Sequence, residues 1–242
     1  MPDLGAIYSA RQQGLAANLP QPESFTEYAI LQSEQATSPE VIDAEKYWLK
    51  QFSGPIPVLD LPTDRARPPL RTYKGAREDW ELNPALVANL KRQGKKAGCS
   101  FFTTLFAGFE AFMYRLCGQE DLVVGMPAAG QLVGGKDKLA GHCVSLLPLR
   151  TRIDGEQSFI DYLRSRRTAI LDALDCQQLT FGTLVKKLAI PRDLSRIPLV
   201  PVTFNLDVQL TEDQLNFEGF KAEVFSNPRT YENFEWAVNA SE

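Results

Sequence analysis

Apolar Val41, Ala44, Trp48 and Phe52 recur three or four positions apart behind the run Ser38-Pro39-Glu40. A serine cap, a proline at the first helical position and a carboxylate in the first turn mark a helix start, so this stretch predicts an amphipathic helix over 38–52. Two shorter helices are expected before it, over 3–18 and 24–35, with Ser24 or Thr26 as a cap and Leu19-Pro20-Gln21-Pro22 breaking the pattern between them. Residues 53–72 then hold five prolines without periodicity. Such a stretch neither continues a helix nor serves as a central strand, and it is expected to be an extended connection between two structural units.

Beyond the connection, residues 73–82 alternate enough for a strand, and 83–98 read as a helix capped by Asn83, with Pro84 at its first position and Gly98 past its end. The run from Phe101 to Leu116 is apolar on almost every side, which predicts a helix buried in the body of a domain. Short apolar runs over 121–131 and 143–153 suit strands, and Phe159, Leu163, Ile170 and Leu174 restore helical spacing. Strand patterns at 198–207, 220–226 and 232–240 follow. This mixed order of strands and helices predicts an α/β domain, a mixed sheet covered by helices.

Composition narrows the chemistry. With 242 residues and 44% apolar content there is ample material for a core. No apolar run approaches the roughly 18–20 residues needed to cross a bilayer, and the first residues lack a basic flank followed by an apolar signal core, so a cytoplasmic location is expected. Cys99, Cys117, Cys143 and Cys176 show no C-x-x-C spacing and read as reduced thiols. One histidine and no paired cysteines leave too few ligands for a nitrogen–sulfur zinc site, so metal catalysis is not expected. A formal charge of −4, with signs mixed along the chain, argues against nucleic acid as a partner. The glycines of 125–135 form no P-loop, because the lysine and threonine are missing.

The single histidine, His142, stands beside Cys143. A nucleophile–base pair is ruled out by geometry, because neighbours on a strand point to opposite faces and cannot share a side-chain hydrogen bond. Cys143 reads instead as a small apolar strand residue.

Four segments carry a family resemblance: "SFTEYAILQ" at 24–32, "AEKYWLKQFSGPIPVLDLPTDRARP" at 44–68, "GHCVSLLPLR" at 141–150 and "RDLSRIPLVPVTFNL" at 192–206. In this order they resemble the later half of a condensation domain from a nonribosomal peptide synthetase. The resemblance implies a chloramphenicol-acetyltransferase-like fold of two lobes, with a tunnel in which two carrier-borne thioesters meet. The reaction it implies is amide formation, the amine of an aminoacyl thioester attacking an acyl or peptidyl thioester. Substrates would arrive on the phosphopantetheine of peptidyl or acyl carrier protein domains, and no cofactor would be bound directly. No membrane partner is implied.

The family's H-H-x-x-x-D-G motif cannot be present in a chain with one histidine, so no catalytic residue is assigned. The expected layout is the tail of the first lobe over 1–53, the inter-lobe connection over 54–72 and most of the second lobe over 73–242. The missing first lobe and adjacent synthetase domains are then expected partners in a longer native polypeptide. An isolated lobe of this kind is expected to be inactive and to expose interface surface. His142, Ser145 and Asn205 are candidate tunnel residues, His142 with the alternative of filling a polar spot at the strand's start. Ser145 stands where the family has asparagine, which reduces its hydrogen-bonding capacity. Arg150, Arg192 and Arg196 are candidates for inter-lobe or motif-supporting ion pairs, because guanidinium binds carboxylate bidentately; local or surface pairing is the alternative. Two other readings remain: a non-catalytic module that binds a carrier protein or a separate first lobe, and a stand-alone acyltransferase acting on soluble thioesters.

Overall fold

The computed structural model describes residues 2–130, 138–207, 217–223 and 227–242. Helices α1 (Pro2–Gln12) and α2 (Phe25–Glu34) lead through a short 3-10 turn into α3 (Pro39–Gln51). The expected caps form: the Ser24 hydroxyl accepts from the Glu27 amide and the Ser38 hydroxyl from the Val41 amide. Helix α4 (Pro84–Lys96) is capped by Asn83. Helix α5 (Phe101–Cys117) starts at Ser100 and stops at Gly118, whose φ of 65° lies in the left-handed region that glycine adopts without a Cβ clash.

Strand β1 (Asp121–Ala129) pairs antiparallel with β2 (Val144–Arg152), in register from Asp121–Arg152 to Ala129–Val144. Helices α6 (Phe159–Asp175) and α7 (Phe181–Lys187) intervene before β3 (Val202–Asp207) and β4 (Trp236–Ser241). The sheet order is β2-β1-β3-β4, with β3 parallel to both β1 and β4. Gly125 makes the β1–β3 contact possible, since a Cβ there would collide with the Val200 side chain.

Trp48 and Phe52 of the α3 end enter the same core as Phe106 of α5, Val123 and Val124 of β1, Leu147 and Leu149 of β2 and Ile170 of α6. Burying each large side chain contributes about 1.5–3 kcal/mol, and the Trp48 indole also donates to the Cys176 carbonyl at 2.8 Å. Thus α3 is bound to the sheet by burial as well as by the chain.

One buried polar network crosses this core. Glu110 of α5 is fully buried, and its Oε2 accepts from Arg166 Nε and from the Tyr162 hydroxyl, each at 2.8 Å. The Tyr162 hydroxyl also lies 3.2 Å from the Thr151 hydroxyl of β2, and Arg166 Nη1 donates to the Arg150 carbonyl at 3.4 Å. Burial pushes the Glu110 carboxyl up, opposed by the Arg166 guanidinium and the Tyr162 hydroxyl. A carboxylate at this depth stays ionised only beside such a partner.

A second arginine fixes the proline-rich connection. Arg150, nearly buried, binds Asp121 bidentately at 2.9 and 2.7 Å. It also donates to the carbonyls of Gln51 and Pro55, at 3.1 and 2.8 Å. The strand pair, the end of α3 and the start of the connection therefore meet at one guanidinium.

Several expectations need correction. Residues 73–82 form no strand: Lys74 makes an isolated bridge to Tyr231 and the segment is otherwise without regular structure. Beyond that bridge its alternating pattern lacks a pairing neighbour, and pairing is what makes a strand. Over 220–226 no strand forms among the described residues, Phe220 making only a bridge to Phe217, and 224–226 lie outside the described residues. Helix α1 ends at Gln12, not 18, ahead of Gly14 with φ 71°. Helix α5 is not buried all round, since Phe112 and Leu116 are exposed. Helix α7 has no counterpart among the sequence expectations, although Thr180 caps it. Of the glycine-rich stretch 125–135, residues 125–129 lie in β1 and 131–135 lie outside the described residues.

Replacing Arg166 by alanine is expected to cost about 3–5 kcal/mol, because it strands the Glu110 charge; the urea midpoint measures this. The pair Glu110→Met with Arg166→Met is expected to regain most of that loss, and a double variant as unstable as Arg166→Ala would contradict the account. For Asp121, the Arg150 guanidinium holds the carboxyl below its ordinary range. A depressed carboxylate contributes stability above its unfolded pKa, about 3.9, and loses it as pH falls through the lower folded value. The stability gap between the natural chain and Asp121→Asn should therefore stay constant above about pH 5 and close below about pH 3.9, as read by denaturant titrations across pH.

Candidate functional site

The segment 138–143 enters β2 along the N-terminal end of α2. The Glu23 amide donates to the Lys138 carbonyl at 3.2 Å, Gly141 is seated against the Phe25 ring, and the Gly130 amide donates to the Cys143 carbonyl at 2.9 Å. His142 lies in this entry segment, exposed, and hydrogen-bonds to no other described residue through its ring. Cys143 corrects the expectation of a small apolar strand residue. It sits just before β2, half-buried, near the Tyr28 phenol. Burial first, and then the Cys143 thiol, push the Tyr28 phenol up, so it stays a neutral hydrogen-bonding group. His142 and Cys143 do not form a catalytic pair: no hydrogen bond joins the two side chains. The premise of a shared strand needs correction, since both residues precede it.

Ser145 lies within β2 opposite Ala128, half-buried, and its hydroxyl bonds to no other described residue. Asn205 lies on β3 opposite Asn239 of β4. Its Nδ2 donates to Asp207 Oδ1 and Asn239 Oδ1, and Asn239 Nδ2 donates to Asp207 Oδ2, all at 2.8 Å. This closed trio crosses the carboxyl-terminal ends of two parallel strands, so the Asn205 amide is already engaged. Ser145 and Asn205 thus stand on β2 and β3, separated by β1, and no described contact joins them to His142.

The three arginines separate as well. Arg150 makes the Asp121 clamp described above. Arg196 donates to the Leu59 carbonyl at 3.0 Å and pairs with Asp60 at 3.1 Å, with Asp193 at 3.9 Å. Asp193 in turn holds the amide and hydroxyl of Ser195 at 2.8 and 2.7 Å, the local turn its sequence suggests. Arg192 is exposed and makes no ion pair with a described residue. Two of the three therefore pin the proline-rich connection to the body, one at each end of residues 55–60.

Sequence reasoning missed the Glu110–Arg166–Tyr162 network. Its signal was present: Glu110 is the one acidic side chain in the apolar run 101–117, four residues after Phe106 and three before Met113 on the buried face. Tyr162, Arg166 and Ile170, four apart, mark the opposing stripe of α6. Asn239 and Asp207 carried no such signal, because their meeting depends on β3–β4 register. Among the described residues no group of three or more His, Cys, Asp or Glu side chains is arranged to hold a metal ion.

The family model of the condensation domain matches residues 1–242. One of the plipastatin synthase proteins of Bacillus subtilis (strain 168) is 39% identical over 175 residues, 72% of this chain and 5% of that protein. Bacitracin synthase 1 of Bacillus licheniformis is 33% identical over 243 residues, 99% of this chain and 4% of that protein. The chain spans only 5–8% of the length of the first curated relatives it matches. Among solved structures, the complex of the X-domain and OxyB from teicoplanin biosynthesis superposes with a TM-score of 0.79 at 23% identity, covering 99% of this chain and 53% of that one. The mixed sheet and its covering helices are thus the chloramphenicol-acetyltransferase-like arrangement expected from the sequence. With the family model matched from end to end, the chain belongs to the condensation domain family of nonribosomal peptide synthetases.

Proposed function

We propose that this chain forms one wall of an amide-forming site and takes no covalent part in the reaction. The observation that carries the reading is the match of the condensation domain model to all 242 residues of a chain with one histidine. Amide formation needs the attacking amine to meet the thioester carbonyl in a near-attack geometry while its proton is accepted. A wall contributes the first requirement. In this reading α1, α2 and α3, within 1–53, belong with a first lobe that supplies H-H-x-x-x-D-G, residues 54–72 connect the lobes, and residues 73–242 belong to the second lobe.

The tunnel face is assigned to β2 and its entry, with His142 exposed at the mouth and Ser145 half-buried beyond it. Asn205, locked to Asp207 and Asn239, would border the tunnel as a shaped polar surface. Arg150 and Arg196 act by holding the connection between the lobes, and Arg192 is left for the surface. Acyl and aminoacyl groups arrive on carrier-protein phosphopantetheine, and the work is done in the cytoplasm.

A second reading is favoured by the single histidine together with the X-domain likeness, a neighbour described in complex with OxyB. Here the chain docks a carrier or a separate first lobe without turnover.

The purified 242-residue polypeptide, offered an acyl carrier and an aminoacyl carrier, is expected to give no amide product by mass spectrometry. Adding a polypeptide with the H-H-x-x-x-D-G lobe is expected to restore it, and turnover by the chain alone would refute the wall reading. Within the active assembly, His142→Ala should leave kcat within about tenfold and act mainly on KM. A fall of about 10²–10⁴ in kcat would instead mark His142 as an acid–base group.

A further inference from the structure

Residues 60–77 carry Arg65, Arg67, Arg71, Lys74 and Arg77 against Asp60 and Asp64, in a chain whose net charge is −4. The fold sets this stretch between two others. On one side the Arg71 amide donates to the Leu194 carbonyl at 3.1 Å, beside Arg192. On the other, the Gly75 amide donates to the Thr230 carbonyl and the Glu232 amide to the Tyr73 carbonyl, both at 3.0 Å. Ion pairs absorb part of the charge: Arg67 with Glu235, Arg77 with Asp79, Arg196 with Asp60 and Asp193. Arg65, Arg71, Lys74 and Arg192 have no carboxylate partner among the described residues, while Asp64 is the one carboxylate of 60–77 and 190–196 left unpaired there.

Beside Arg71 and Lys74 is an aromatic stack. The Arg71 guanidinium lies 4.1 Å from the centre of the Tyr73 ring and donates to the Tyr73 hydroxyl at 2.6 Å. The Tyr231 ring lies 5.4 Å away at 8° to Tyr73. Tyr73 has φ 58°, a left-handed conformation that a bulky side chain adopts only where its surroundings impose it. Nevertheless Tyr231 is 61% exposed. A strained, pre-ordered and solvent-facing tyrosine–arginine stack has the residue types that dominate binding energy in protein interfaces, and it loses little side-chain entropy on contact.

We propose that the Arg71–Tyr73–Tyr231 stack, with Lys74 and Arg192 beside it, is a docking face for the acidic surface of a neighbouring domain in the same synthetase polypeptide. The proposal rests on the reading of this chain as part of a multidomain synthetase. Charge complementarity selects the occupant: uncompensated cations on an acidic chain steer carboxylate-rich surfaces and fix their register.

The test uses the full native polypeptide with a photo-crosslinking amino acid in place of Tyr231, whose exposure makes the replacement harmless to the core. Irradiation followed by peptide mapping should place crosslinks on an Asp/Glu-rich surface segment of another domain. The yield should fall about fivefold or more in Lys74→Glu with Arg192→Glu, and likewise on raising salt from about 0.05 to 0.5 M. Neither residue bonds to a described residue through its side chain, so an unchanged unfolding midpoint serves as the folding control. Crosslinks confined to this domain, to neutral or basic segments or to nucleic acid overturn the proposal, as does a yield indifferent to charge reversal and salt. Amide formation is assayed on the same preparation. Product without crosslinks removes the docking face alone, whereas absence of product removes the synthetase reading.

Discussion

The buried Glu110 carboxylate governs how this chain is put together. It comes from α5 and its partners from α6, and those partners reach β2 through Thr151 and the Arg150 carbonyl. An ion pair this deep gains little net stability over an apolar replacement, because desolvation consumes most of the Coulombic attraction. Its consequence is directional. Helices that must bring one carboxylate oxygen within hydrogen-bonding distance of a guanidinium and a phenol have few alternative packings. The apolar core around them, by contrast, tolerates repacking of similar volume.

Arg150 extends that ordering outward. Its carbonyl receives Arg166, and its guanidinium holds Asp121, Gln51 and Pro55. One residue of an edge strand thereby couples the interior pair to the proline-rich connection. Five prolines stiffen residues 53–72 but cannot donate backbone hydrogen bonds. Such a segment depends on side chains from elsewhere to set its path, and Arg150 and Arg196 supply them at its carbonyls.

The functional reading follows from this construction. A wall that only shapes and orients needs rigid strands, satisfied polar groups and an accessible mouth. The Asn205–Asp207–Asn239 trio, the strand-borne Ser145 and the exposed His142 each fit that description. None of them assembles a nucleophile, a base and an orienting acid in one place, the arrangement covalent acyl transfer requires.

By itself the sequence determined the capped helices, the places of strands β1 and β2 and the family. Ser24, Ser38, Asn83 and Ser100 cap through contacts two or three residues away, and the family segments are read in linear order. It misjudged 73–82, where alternation without a neighbouring strand yields extended chain. Only the tertiary structure decided which partner each polar side chain takes. Glu110 meets Arg166 across 56 positions and Arg196 meets Asp60 across 136. Tyr73 and Tyr231 stack because two irregular segments lie side by side. Local signals act within a helical turn, whereas charge pairing and ring stacking depend on distances that exist only once the core has closed.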